Sequence, residues 1–199
     1  MLKFLKKYAL PMIALILAIG LTIWRINYLE RTNLSLSLKI NRTSALLNGE
    51  EVSLQNPVIM HNNEPYIPIN EVVNRLGGTA DEKTFTIRNR TIRSAGFEQD
   101  HVMYTPISYL HEENSLEAQW DKERNRVILT AAPDEIELTR RYLFWRHRTV
   151  RGLRVGDSEE RYLDLYGTPS SVWGGMIHYL LYVTVEDGVV TSIQMGRFE

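Results

Sequence analysis

Two copies of one short pattern, Tyr66-Ile67-Pro68-Ile69 and Tyr104-Thr105-Pro106-Ile107, constrain the fold of this chain more than any other feature. Their starts lie 38 residues apart. Each copy follows a run of turn residues, His61-Asn62-Asn63-Glu64 before the first and Glu98-Gln99-Asp100-His101 before the second. Each then leads into a short helical pattern and a β-branched strand. In the first copy Val72, Val73 and Leu76 fall at helical spacing, Gly77-Gly78 stops the helix, and Phe85-Thr86-Ile87 follows. In the second, Tyr109, Leu110 and Leu116 lead to Trp120-Asp121 and then to Arg126-Val127-Ile128-Leu129-Thr130. Self-similarity at a fixed period sets the architecture ahead of any local assignment. Two copies are too few for a solenoid. The pattern therefore predicts one small domain over residues 44–131, built from a duplicated strand–helix–strand unit.

Local signals fill in that domain. Asn48-Gly49 between apolar flanks is a strong hairpin signal. His61-Asn62-Asn63-Glu64 reads as a second turn, and Asn70 as the cap of a helix over 71–76, with Pro68 limiting where that helix begins. Upstream, residues 27–43 are polar with leucines in alternation (Leu34, Leu36, Leu38, then Ile40), which predicts a half-buried juxtamembrane strand or linker. The expected class is α+β, with short antiparallel strands curled around short helices.

The ordered elements also carry a resemblance. Leu46-Leu47-Asn48-Gly49-Glu50-Glu51-Val52, Pro57-Val58-Ile59, Tyr66-Ile67-Pro68-Ile69, Leu76-Gly77, Tyr104-Thr105-Pro106-Ile107, Trp120-Asp121 and Val127-Ile128-Leu129-Thr130 resemble the stalk domain of the copper amine oxidase N-terminal type. Asn48, Gly49, Tyr66, Pro68, Gly77, Tyr104, Pro106, Trp120 and Asp121 mark its structural motif. The second copy departs from the family at His111-Glu112-Glu113-Asn114-Ser115, where Ala and a Leu-Gly ending are usual. The resemblance implies a non-catalytic module of secreted and surface proteins of Gram-positive bacteria. The family's copper chemistry resides in a separate large domain with an Asn-Tyr-acidic quinone site and three histidine ligands. Here Asn27-Tyr28-Leu29 lacks the acidic residue, so no cofactor is expected.

At the N-terminus Lys3, Lys6 and Lys7 precede Tyr8 to Trp24, 17 residues without a charge. This is near the short limit for spanning a bilayer core of about 30 Å at about 1.5 Å per residue. With Trp24, Arg25 and Tyr28 at the far end, the reading is a cytoplasmic tail over 1–7 and a single-pass anchor over 8–26, with the remainder extracytoplasmic. A cleaved signal peptide competes, since Ala18-Ile19-Gly20 offers small residues at suitable spacing. Beyond Ile26 the chain carries 19 basic against 24 acidic groups. That balance argues against a general nucleic-acid partner.

Residues 132–151 read as a connector. Arg140, Arg141, Arg146, Arg148, Arg151 and Arg154 are interleaved with Tyr142, Phe144 and Trp145, and could bind an anionic wall polymer or lipid headgroup. Equally, they could pair with nearby acids and cover apolar surface with their stems. Residues 152–199 form a second α+β unit. Its signals are Ser158 as N-cap, Glu159-Glu160 in the first helical turn, Gly167-Thr168-Pro169 as the stop, and a hairpin turning at Glu186-Asp187-Gly188. This unit resembles the small helix-plus-hairpin modules of bacterial envelope proteins, which mediate contacts.

With 0 cysteines there is neither a thiol nucleophile nor a disulfide. The five histidines are scattered, no Gly-x-Ser-x-Gly occurs, and neither Gly77-Gly78 nor Gly174-Gly175 is followed by Lys-Ser/Thr. The expectation is a non-enzymatic stalk or interaction protein with an envelope protein or wall polymer as partner. The alternative is a subunit that binds a small envelope molecule or anionic polymer.

Overall fold

A computed structural model describes residues 11–22, 34–81, 83–87, 90–112, 116–131, 147–149, 151–168 and 181–195. The chain divides into two compact units, Met1–Thr32 and Asn33–Glu199. In the first, residues 11–22 form helix α1, in which Thr22 Oγ1 donates to the Ala18 carbonyl at 2.7 Å. Among the described residues, no helix is long and apolar enough to cross a membrane. The expected chain led by a transmembrane helix over 8–26 is thereby corrected. Trp24, Arg25 and Tyr28, its proposed far-side anchors, lie outside the described residues.

The α+β expectation is corrected as well, because the second unit is dominated by antiparallel strands. A five-stranded sheet has the order β11-β12-β1-β2-β3, from β1 (Leu34–Lys39), β2 (Ser44–Leu47), β3 (Glu50–Ser53), β11 (Glu117–Asp121) and β12 (Arg126–Ala131). A four-stranded sheet has the order β4-β5-β10-β9, from β4 (Ile59–His61), β5 (Glu64–Pro68), β9 (Phe97–Gln99) and β10 (Val102–Pro106). A third joins β6 (Thr79–Ala80), β7 (Thr84–Ile87) and β8 (Arg90–Arg93), and a hairpin joins β13 (Leu181–Glu186) to β14 (Val189–Met195). The helices are short: α2 (Ile69–Arg75), α3 (Ile107–Glu112) and α4 (Glu159–Tyr166).

Turn chemistry explains the strand count. Asn48-Gly49, Asn62-Asn63, Asp100-His101 and Asp187-Gly188 all hold positive φ at both positions. That is the type I′ geometry whose twist matches two antiparallel strands. Helix α2 begins one residue before Asn70, directly after Pro68, and has no side-chain cap. Proline's fixed φ, here −69°, carries the chain straight from strand into helix, and Asn70 sits inside the first turn.

β1 shows why the period-two reading was incomplete. Leu36 and Leu38 turn into the main core with Val127 and Leu129, their cross-strand partners. The intervening Ser35 and Ser37 are 3% and 2% exposed, so this strand is buried on both faces. The second cover is the C-terminal part of the chain, since the Ser37 hydroxyl donates to the Asp164 carbonyl on α4. The five-stranded sheet therefore separates two cores. One gathers Ile67, Val72, Val73, Phe85 and Leu110 with the leucines; the other gathers Leu153, Leu165 and Val190, with Leu46 reaching it from β2. Leu34–Lys39, in the stretch read from sequence as a juxtamembrane strand or linker, is the middle strand of that sheet.

Candidate functional site

Two polar constellations come together in the second unit. In the first, the duplicated motifs pair with each other. Tyr66 lies opposite Pro106, Ile67 opposite Thr105, and Pro68 opposite Tyr104. The register is symmetric, so the repeat read from sequence is realised as two hairpins joined edge to edge about Ile67 and Thr105, both fully buried. The alternate residues present rings on the other face. His61 on β4 sits edge-on to Tyr66 at 5.3 Å, Phe97 on β9 lies 4.7 Å from His61 and 5.2 Å from Tyr66, and Tyr104 stacks on Phe97 at 5.9 Å. β4 and β9 are the outer strands, which in a flat sheet would stand about 14 Å apart at about 4.8 Å per spacing. The rings therefore lean inward over the strands between them. His61 is exposed, Tyr66 and Phe97 are half-buried, and Tyr104 is buried. Burial, with the charges of Asp100 and Glu71 behind it, pushes the Tyr104 hydroxyl above its usual pKa. Strands β4, β5, β9 and β10 with their turns hold three carboxylates (Glu64, Glu98, Asp100) and neither lysine nor arginine. Gly96 opens β9 at φ +123°, where a Cβ would meet the Tyr104 carbonyl, so the backbones can approach only at a glycine.

The second constellation fastens α4 to the five-stranded sheet. Asp164 bridges Arg124 Nη2 at 2.9 Å and Arg126 Nη2 at 3.0 Å, and Arg126 Nη1 also donates to the Ser37 hydroxyl at 3.1 Å. Burial works against the Arg126 charge and Asp164 offsets it, while the guanidinium remains protonated. The Asp121 carboxylate accepts from the Thr168 N–H at 2.6 Å, the Thr168 hydroxyl at 2.9 Å and the Arg124 N–H at 3.1 Å. Arg161 Nη2 reaches the Gly49 carbonyl at 2.9 Å, and Gly152 packs against the Asn48 carbonyl so closely that a Cβ there would clash. The motif residues Asn48, Gly49 and Asp121 thus seat the C-terminal segment, and Trp120 offers its ring to Lys122 Nζ at 4.7 Å. Helix α4 is capped as its sequence predicts: Ser158 Oγ accepts from the Arg161 N–H, and Gly167 at φ +79° returns its N–H to the Leu163 carbonyl.

Burial opposes ionisation of Asp121, but the bonds from Thr168 and Arg124 together with the Arg124 charge outweigh it and hold its carboxyl below the usual carboxylate range. A group depressed in the folded state stabilises above its unfolded pKa of about 3.9, and that contribution is lost as pH falls through the folded value. The urea midpoint of the wild type should therefore drop as pH is lowered from about 6 to about 3. Asp121→Asn should lower the midpoint near neutrality and flatten the drop. An unchanged acid slope in that variant would separate Asp121 from the fastening.

Arg151 is 7% exposed, donates from Nη1 to the Leu165 carbonyl at 3.3 Å, and lies 4.7 Å over the Tyr166 ring. Arg148 is half-buried and Arg154 exposed, the latter's backbone N–H held by Asp157 Oδ2 at 2.8 Å. Arg140, Arg141 and Arg146 lie outside the described residues. Sequence reasoning overlooked Arg124, Arg126, Asp164, His61 and Phe97. Phe97 was within reach of it, because a two-residue turn at Asp100-His101 sets Phe97 across from Tyr104. Among the described residues no group of three or more His, Asp or Glu side chains could hold a metal. No family model, no curated protein and no solved structure matches this chain.

Proposed function

We propose that this chain is a non-catalytic extracytoplasmic interaction protein of the bacterial envelope, in which a stalk-like domain and its C-terminal helix and hairpin form one recognition body. The observation that carries this reading is the use of the polar residues. Asp121, Arg124, Arg126, Arg151, Arg161 and Asp164 are engaged in fastening α4 and the connector to the sheet. Their chemistry is spent on internal construction, and the ring-bearing sheet is left facing outward. The likeness of residues 44–131 to stalk domains points the same way. The buried position of Arg151 weighs against the arginine stretch as a polyanion site.

Proximity crosslinking on intact cells, with label introduced at exposed His61 and, as a control, at exposed Glu186, tests it. The expected result is recurrent envelope neighbours captured at His61 and few at Glu186. Capture of cytosolic proteins alone, or turnover of any substrate by the purified chain, overturns the reading.

A further inference from the structure

The ring-bearing face has a charge as well as a shape. Across β4, β5, β9 and β10 the ionisable groups other than histidine and tyrosine are Glu64, Glu98 and Asp100, all acidic, in a chain whose basic and acidic residues otherwise nearly balance, 23 against 24. Glu98 is 61% exposed at its side chain, with His101 Nδ1 3.7 Å away. Glu64 receives the Ser108 N–H at 2.8 Å, and Glu71, which adds to the field at Tyr104, receives the N–H groups of Gln55 and Asn56. Glu64, paired with His61 and two residues before Tyr66, lies on the ring-bearing face, whereas Glu98, next to Phe97 and paired with Met103, alternates to the other face. Aromatic faces attract cations through their quadrupole, and neighbouring carboxylates add to that attraction.

We propose that this face binds a cationic peptide segment, with lysine or arginine side chains laid over Tyr66 and Phe97 and their charges met by Glu64 and Asp100. The edge of β9 decides for a segment over a single amine: β9 pairs with β10 on one side, and among the described residues no strand pairs with its other side. An extended peptide can align there by main-chain hydrogen bonding while its alternate side chains reach the rings. The inference rests on the recognition reading and names the class of partner.

The test is a titration of the full chain followed through the side-chain NMR signals of His61, Tyr66 and Phe97, using hexalysine, hexaglutamate, choline and cellotetraose as probes. Hexalysine is expected to shift all three rings. Glu64→Gln with Asp100→Asn should weaken that binding by about fivefold while the rest of the spectrum stays in place, the scale expected for two surface charge contacts. Phe97→Leu, which keeps an apolar side chain, should weaken it further. Shifts with hexaglutamate or cellotetraose of the same size, a response to choline as strong as to hexalysine, indifference to the charge variant, or no shift at all would each overturn the proposal. Envelope neighbours captured at His61 together with silent peptide titrations would reject the cationic partner and leave the recognition reading standing.

Discussion

Replacing Asp164 by Ala is expected to lower the unfolding free energy of the second unit by about 2–3 kcal/mol. Removing one partner of a buried ion pair costs about 3–5 kcal/mol, because the remaining charge is left without compensation. Here the side chains of Asp164, Arg124 and Arg126 keep 23%, 25% and 10% of their exposure, so part of that penalty is screened by water. Two guanidinium groups lose their common carboxylate in the variant, while Arg126 keeps the Ser37 hydroxyl as a further partner. Asp164→Asn keeps an acceptor but not the charge, and should fall between wild type and alanine. Urea denaturation at neutral pH reads the difference. A loss under about 0.5 kcal/mol, the ordinary scale of a surface substitution, would mean that α4 is held by apolar contact alone.

Phe85→Ala should cost more, about 3–5 kcal/mol, as for other large core aromatics truncated to alanine. Phe85 is 1% exposed on β7, where Ala80 and Ile92 are its cross-strand partners. The core cluster to which it belongs draws on both halves of the duplication. For a unit of this size each kcal/mol moves the melting temperature by about 2–4 °C, which predicts a fall of about 6–20 °C in a thermal scan. Phe85→Leu, which keeps most of the volume, should recover much of it. Equal losses in the two variants would show that the ring's size is not what matters there.

The two halves of this account differ in how they are written in the sequence. The duplication, its turns and its closing strands were legible because each is a local signal. Asn48-Gly49 asks for a I′ hairpin, Tyr-x-Pro-Ile recurs at a fixed interval, and Gly77 and Gly167 mark helix ends. Ser158 and the acidic first turn of α4 were legible for the same reason. What joins these pieces was not. Asp164 is one acid among many in the sequence, and nothing local says that it will meet Arg124 and Arg126, some 40 residues away. Ser35 and Ser37 looked like a solvent face because period-two alternation reports residue polarity, while burial of a serine depends on what docks over it. Their small hydroxyls are what allow α4 to approach that face and hydrogen-bond with it.

The sequence left two readings for the arginine stretch, and within it Arg151 stacks on Tyr166 and donates to the Leu165 carbonyl. Burial decides such cases, and it is set by long-range packing. The N-terminal reading rested on the length of an uncharged run, whereas among the described residues no helix is long and apolar enough to cross a membrane.

The central claim is that α4 and the β13–β14 hairpin belong to the same folded body as the duplicated domain. Native-state amide hydrogen exchange tests it most directly. The Val190 N–H, bonded to the Asp157 carbonyl at 2.8 Å, should exchange with the same opening free energy as the buried amides of β1 and β12. In Asp164→Ala the Val190 amide should lose protection first. If in the wild type Val190 and the α4 amides open several kcal/mol more easily than β1, the C-terminal segment is a separate appendage and the account is contradicted.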